Sequence, residues 1–146
     1  MEVKEDDNEL KDSINELNKI KIQINLNEEK YLLHIYPSED KSAIIFRLEK
    51  EKIQTYYYFE YFELRDFRQK NKLFISDDSI PELFSHFKEI RKNCIINLEK
   101  KNMKMNICFE SNTDSKFILN FILKKEMVSQ KKINPLLIEQ IHLEQY

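Results

Sequence analysis

The chain contains no glycine and no tryptophan, and its 146 residues include one alanine, Ala43. Ordinary usage near 7% predicts about ten glycines in a chain of this length. Their absence excludes the sites that need a residue without Cβ. Phosphate-cradling P-loops, dinucleotide fingerprints and nucleophile elbows all require φ > 0 or a close backbone approach to the ligand. Abundant Lys, Asn and Ile beside these deficits fit an A/T-rich coding bias, so part of the glycine deficit is mutational. Turns then have to be made by Asn, Asp and Ser, as at Asn27, Asn102 and the polar run Ser111-Asn112-Thr113-Asp114-Ser115.

Other absences narrow the chemistry further. No apolar run approaches the roughly 18 residues of a membrane span. The opening Met1-Glu2-Val3-Lys4-Glu5-Asp6-Asp7 is acidic and has no apolar h-region, so a cytoplasmic protein is expected. Cys94 and Cys108 show neither CxxC nor Cys/His metal spacing, and each falls in an apolar strand pattern, which predicts two buried thiols. His34, His86 and His142 are too scattered to suggest a shared metal. Ser79 has a structural use as a helix cap, and Asp77-Asp78 precede that helix, where negative charge suits its dipole. No catalytic residue, cofactor, metal or small-molecule substrate is expected, and the chain is read as a non-enzyme.

What is present is a core and a well-charged surface. Ten Phe and seven Tyr contribute to a 41% hydrophobic fraction, with 34% charged residues, net charge −2 and mean hydropathy −0.63. That suits one domain burying about two-thirds of its unfolded surface. Residues 1–18 read as a polar lead-in or short helix, with Leu10, Ile14 and Leu17 at helical spacing. From Ile20 the period becomes two, and strands are predicted over Ile20 to Leu26, Tyr31 to Tyr36, Ala43 to Leu48 and Gln54 to Phe62. The last carries Tyr56-Tyr57-Tyr58-Phe59, with aromatics on both faces.

A helical period then follows Glu63, with Leu64 and Phe67. Ser79-Ile80-Pro81-Glu82 is a capping-box pattern ahead of the stripe Leu83, Phe84, Phe87, Ile90. Three more strands are predicted, over Cys94 to Leu98, Met103 to Phe109 and Phe117 to Leu123. Leu137, Ile138, Ile141 and Leu143 give residues 127–146 a helical stripe. Because βα alternation is missing, the expected class is α+β: an antiparallel sheet or sandwich over residues 19–126, with a central helix pair and a C-terminal helix.

The central segment resembles the globular head of the centriolar cartwheel (spindle-assembly-abnormal) proteins and the related end-joining repair scaffolds. The residues that carry the resemblance are Tyr58 and Phe59, Asp66-Phe67, Gln69 and Lys70, Leu73-Phe74-Ile75, Pro81, Leu83-Phe84 and Phe87. Downstream, Met105, Ile107, Phe109-Glu110, Asn112, Lys116-Phe117, Leu119 and Phe121 continue it, so that it spans residues 56–124. Such heads usually carry glycines in their turns, and this chain has none. The resemblance implies a cytoskeletal scaffold head that self-associates through an exposed apolar residue on a hairpin or loop and dimerises through a C-terminal coiled-coil helix. In this sequence those roles fall to Met103 and to Leu137, Ile138 and Ile141.

The leading reading is a structural or assembly module acting through protein contacts, with itself or within a larger complex. The alternative is a small subunit of a nucleic-acid or ribonucleoprotein complex, touching phosphate through Lys100, Lys101, Lys104, Lys124 and Lys125. The aromatic run Tyr56 to Tyr61 carries the acidic neighbours Glu60 and Glu63 in sequence, and reads as a core strand in preference to a base-stacking platform.

Overall fold

A computed structural model of the protein describes residues 18–112 and 117–128. The strands are β1 (Ile20–Leu26), β2 (Glu29–Pro37), β3 (Ile44–Lys50), β4 (Tyr56–Phe62), β5 (Cys94–Lys101), β6 (Lys104–Ser111) and β7 (Ile118–Met127). Between β4 and β5 the chain forms α1 (Leu64–Lys70), a 3-10 turn (Lys72–Phe74) and α2 (Ile80–Arg91). All seven strands belong to one antiparallel sheet in the order β1-β2-β3-β4-β7-β6-β5. Two hairpin-connected meanders are thus joined where β7 returns beside β4. The segment expected to carry a C-terminal helix, and the lead-in before residue 18, lie outside the described residues.

Hairpins without glycine force ordinary residues into the left-handed region. Asn27 and Glu28 (φ 52° and 69°) turn β1 into β2, Lys41 (φ 60°) and Lys52 (φ 73°) serve the next two connections, and Asn102 (φ 53°) turns β5 into β6. Positive φ at both Asn27 and Glu28 is what a two-residue type I′ hairpin loop needs. Asn tolerates this conformation. Glu and Lys carry the Cβ penalty in full. The β2–β3 loop is secured by Asp40, whose Oδ1 accepts from Ser38 Oγ (2.8 Å), Ser42 Oγ (2.7 Å) and Ser42 N–H (3.0 Å).

Helix boundaries follow their capping chemistry. Ser79 Oγ accepts from the Glu82 amide at 3.2 Å, and the Glu82 carboxylate reaches back one residue further than a capping box requires, to the Asp78 amide at 3.1 Å. Asp66 accepts from the Glu63 amide at 2.7 Å and starts α1 in the same way. Asn71 ends α1 in extended conformation, and its side chain accepts from the Leu73 amide at 2.9 Å to begin the 3-10 turn.

Both helices press an apolar side onto the inner face of the sheet. Phe67, Phe74, Leu83, Phe84 and Phe87 meet Phe46, Phe62, Phe109 and Phe121, all of them buried. The ring of Phe121 stacks on Phe46 with centroids 4.5 Å apart. It also meets Phe62 (5.2 Å), Phe67 (5.5 Å), Phe109 (5.7 Å) and Phe87 (6.0 Å).

The thiols depart from expectation, since Cys94 and Cys108 are half-buried rather than buried. Cys94 lies opposite Ser111, whereas Cys108 lies opposite Asn97, and the odd, three-residue offset puts the two side chains on opposite faces. Burial pushes both thiols above their ordinary pKa.

Two stability tests follow. Phe121→Ala should cost about 3–5 kcal/mol in urea unfolding, a large share of the roughly 5–15 kcal/mol available to a domain. Lys52→Gly should raise stability by about 0.5–1 kcal/mol, because relief of the left-handed penalty exceeds the added chain entropy. The expected gain in melting temperature is about 2–4 °C, whereas Lys→Gly at an ordinary exposed position would lower it.

Candidate interaction surface

The inner face is consumed by the core, so any surface function falls to the outer face, the hairpin tips and the sheet edges. Register decides which side chains share the outer face, because residues directly opposite on antiparallel neighbours project to the same side. One cross-strand row runs through all seven strands: Lys21, His34, Arg47, Phe59, Lys124, Lys104 and Lys101. Along β4, Tyr57, Phe59 and Tyr61 form a file on this face, while Tyr58 and Phe62 turn into the core. The expected split of the Tyr56 to Tyr61 run between two faces is therefore what the strand shows. Its outward half sits between Arg47 on β3 and Lys124 on β7. Glu60, whose carboxylate accepts from the Tyr61 amide at 3.3 Å, and Glu63, which lines a cavity with Phe59 and Tyr61, stay beside this half in space as well.

The centre of the face is held by paired charges. The Arg47 guanidinium lies 3.9 Å from the Tyr57 ring centroid, a cation–π contact, and its Nε donates to Glu49 at 2.7 Å. The other Glu49 oxygen is 3.6 Å from His34 Nε2. Arg47 and His34 together hold the Glu49 carboxyl below its usual range against the opposing effect of burial. His34 is largely buried, its Nδ1 has no hydrogen-bond partner among the described residues, and burial, with Lys19 nearby, pushes its pKa below the ordinary 6.5. A shallow cavity of about 320 Å³ opens beside it, lined by Lys19, Tyr36, Arg47 and Glu49.

The five lysines expected to act together divide between the two faces. Lys101, Lys104 and Lys124 are consecutive members of the outer row. Lys125 turns the other way, with its Nζ 4.1 Å from the Tyr56 ring centroid. Lys100, opposite the buried Met105, contributes to lowering the pKa of Glu29, which also pairs with Lys50 at 2.9 Å. Lys124 approaches Glu60 at 3.7 Å and Lys101 approaches Glu99 at 3.9 Å, both exposed pairs of small energetic weight.

Met103 occupies the tip of the β5–β6 hairpin and is 56% exposed. The tip is held in place: Asn102 takes the left-handed turn position, and the Met103 carbonyl accepts from the Lys125 amide of β7 at 2.8 Å. β5 itself pairs only with β6 among the described residues, and its outward Ile95 is 52% exposed. Leu137, Ile138 and Ile141 lie outside the described residues.

Sequence reasoning missed one polar pair built on a buried carboxylate. Asp77 is 5% exposed and meets His86 Nδ1 at 2.8 Å. An ionised carboxylate only accepts, which puts the imidazole hydrogen on Nδ1. Arg68 donates to the Asp77 carbonyl at 2.6 Å, so the link before α2 is tied to both helices. Asp77 to His86 is a local spacing across a cap, and the S-x-x-E signal next to it draws attention to Ser79 instead. Among the described residues no group of three or more His, Cys, Asp or Glu is arranged to hold a metal, and no helix is long and apolar enough to cross a membrane.

No protein-family model matches the chain, and no curated protein matches it in sequence. Among solved structures it is similar to a variant N-terminal fragment of Drosophila melanogaster Sas-6, dimerised via the coiled-coil domain. That similarity has 12% identity and a TM-score of 0.47, over 88% of this chain and 72% of that one.

The His34 environment gives a pH prediction. With the folded pKa depressed below the unfolded value, the unfolded state binds the extra proton first. The stabilisation is then complete above about pH 6.5 and is lost as pH falls below it. His34→Gln should flatten the fall in melting temperature between about pH 7 and pH 5; an unchanged slope would locate the titration elsewhere.

Proposed function

We propose that the protein is a non-enzymatic assembly module that works through protein contacts, self-associating through the tip of the β5–β6 hairpin. The observation that carries this reading is Met103, a flexible apolar side chain presented to solvent on a backbone fixed at both ends. A pre-set tip loses little entropy when it docks, and a thioether adapts to an irregular apolar recess. Lys101 and Lys104 flank it, and Lys101, on the edge strand, opposes non-specific edge-to-edge pairing of β5.

A protruding tip that docks at a different place on the next copy makes a heterologous contact, which closes into rings or extends into filaments. The residue pattern shared with the cartwheel heads supports the same reading, that of a cytoskeletal scaffold head. Leu137, Ile138 and Ile141 are proposed as a second, helical contact.

Light scattering over a dilution series tests this directly. The protein should show a reversible mass increase with concentration that persists in high salt. Met103→Glu should lower the association constant about tenfold or more, and Leu137→Glu with Ile141→Glu should remove a separate step. A monomer at every concentration, or a Met103→Glu variant indistinguishable from the parent, would overturn self-association through the tip.

A further inference from the structure

We infer that the outer face of β4, β7, β6 and β5 binds single-stranded nucleic acid, with Phe59 and Tyr61 as stacking surfaces and Lys101, Lys104 and Lys124 as phosphate contacts. This reading rests on outer-face side chains and stands apart from the hairpin-tip reading, with only Lys101 and Lys104, which flank the tip, common to both. Its first support is the lysine row. Lys101 is directly opposite Lys104, and Lys104 is directly opposite Lys124. Like charges at such positions repel. Lys104, between the other two, has no ion-pair partner among the described residues, and Glu99 and Glu60 reach only the outer members. A polyanion laid across the strands relieves that repulsion, and a single acidic side chain cannot follow the whole row.

The second support is that the row runs into aromatic rings. Phe59 is the next residue of the row after Lys124, and Tyr61, two residues further on the same face, is 54% exposed. From Phe59 to Lys101 is three strand spacings, about 14 Å. Cations beside aromatic rings on an open sheet are the combination that tracks a single-strand backbone while stacking its bases. An acidic peptide would use the lysines and leave the rings without a function. Glu126, opposite Tyr57, and Glu49, paired with Arg47, repel an anionic strand at one end of the aromatic file, and Asp40 and Glu63, which line a cavity with Phe59 and Tyr61, bound it at the other, so the path lies along the lysine row and ends on the outward faces of Phe59 and Tyr61.

The test is a titration of a fluorescein-labelled twenty-nucleotide oligothymidylate, read by anisotropy and by the protein's own tyrosine emission, which no tryptophan obscures. Binding at 50 mM salt should weaken about twentyfold by 200 mM, as three phosphate contacts to a single strand require. Lys104→Glu should weaken it roughly tenfold. Lys72→Glu, with the same charge change on the exposed 3-10 turn, should leave it near the parent value. Tyr61→Ala should weaken binding about fivefold or more and reduce the quenching of tyrosine emission.

Thermal melting of each variant separates lost binding from lost folding. No binding at 50 mM salt would overturn the inference. So would equal losses in Lys104→Glu and Lys72→Glu. Unchanged affinity in Tyr61→Ala, together with equal competition by polyglutamate, would assign the face to an acidic protein instead.

Discussion

The ring of Phe121 touches five other phenylalanines drawn from two strands of the first meander, both helices and the neighbouring strand β6. Its stacking on Phe46 links the two meanders, and its tilted contact with Phe67 and edge contact with Phe87 fix where α1 and α2 settle. Aromatic pairs add about 0.5–1.5 kcal/mol each beyond the area they bury, and they prefer the tilted and perpendicular geometries seen here. The sheet can therefore be one continuous layer and still close over a core, because a cluster of flat rings fills the space the helices leave. Even Lys70 is recruited: its ammonium lies 5.0 Å from the Phe121 centroid and 5.2 Å from that of Phe62, while donating to the Asn120 carbonyl at 2.8 Å.

A chain without glycine pays for its hairpins in backbone strain. Glu28, Lys41 and Lys52 accept left-handed φ values that a glycine would adopt without a Cβ clash. The sheet bears this cost because the loops are short and their registers are fixed by strands buried on one face, where a one-residue slip would bring lysines into the phenylalanine core. Among the described residues, what the outer face displays is side chains arrayed by strand register.

Much of the architecture was readable from spacing. Period-two runs mark all seven strands, Ser79 and Pro81 mark the start of α2, and Asn27 and Asn102 mark two of the hairpin turns. The readable features are those whose cause is local: alternation, capping and turn preference act within a few residues. The resemblance over residues 56–124 also rests on apolar positions of this kind. The Asp77–His86 pair was not readable, because it depends on the approach of α2 to the link before it. Half-burial of Cys94 depends likewise on β5 lying at the sheet edge, and that of Cys108 on its place on the outer face of β6.

The sequence alone determined that this is an α+β protein with a phenylalanine-rich core and hairpins turned without glycine. Only the tertiary structure decided which charges meet which rings. Lys100 and Lys125 look equivalent to Lys101 and Lys124 along the chain, yet one residue of pleat sends the first pair toward Glu29 and Tyr56 and the second pair to the outer row. Glu60 and Glu63 border the aromatic run in sequence, and the sheet adds Arg47 and Lys124 as lateral neighbours of its outward half. The physical reason is that a strand alternates faces at every residue and takes its lateral neighbours from other strands, whose order is set by packing of the whole core.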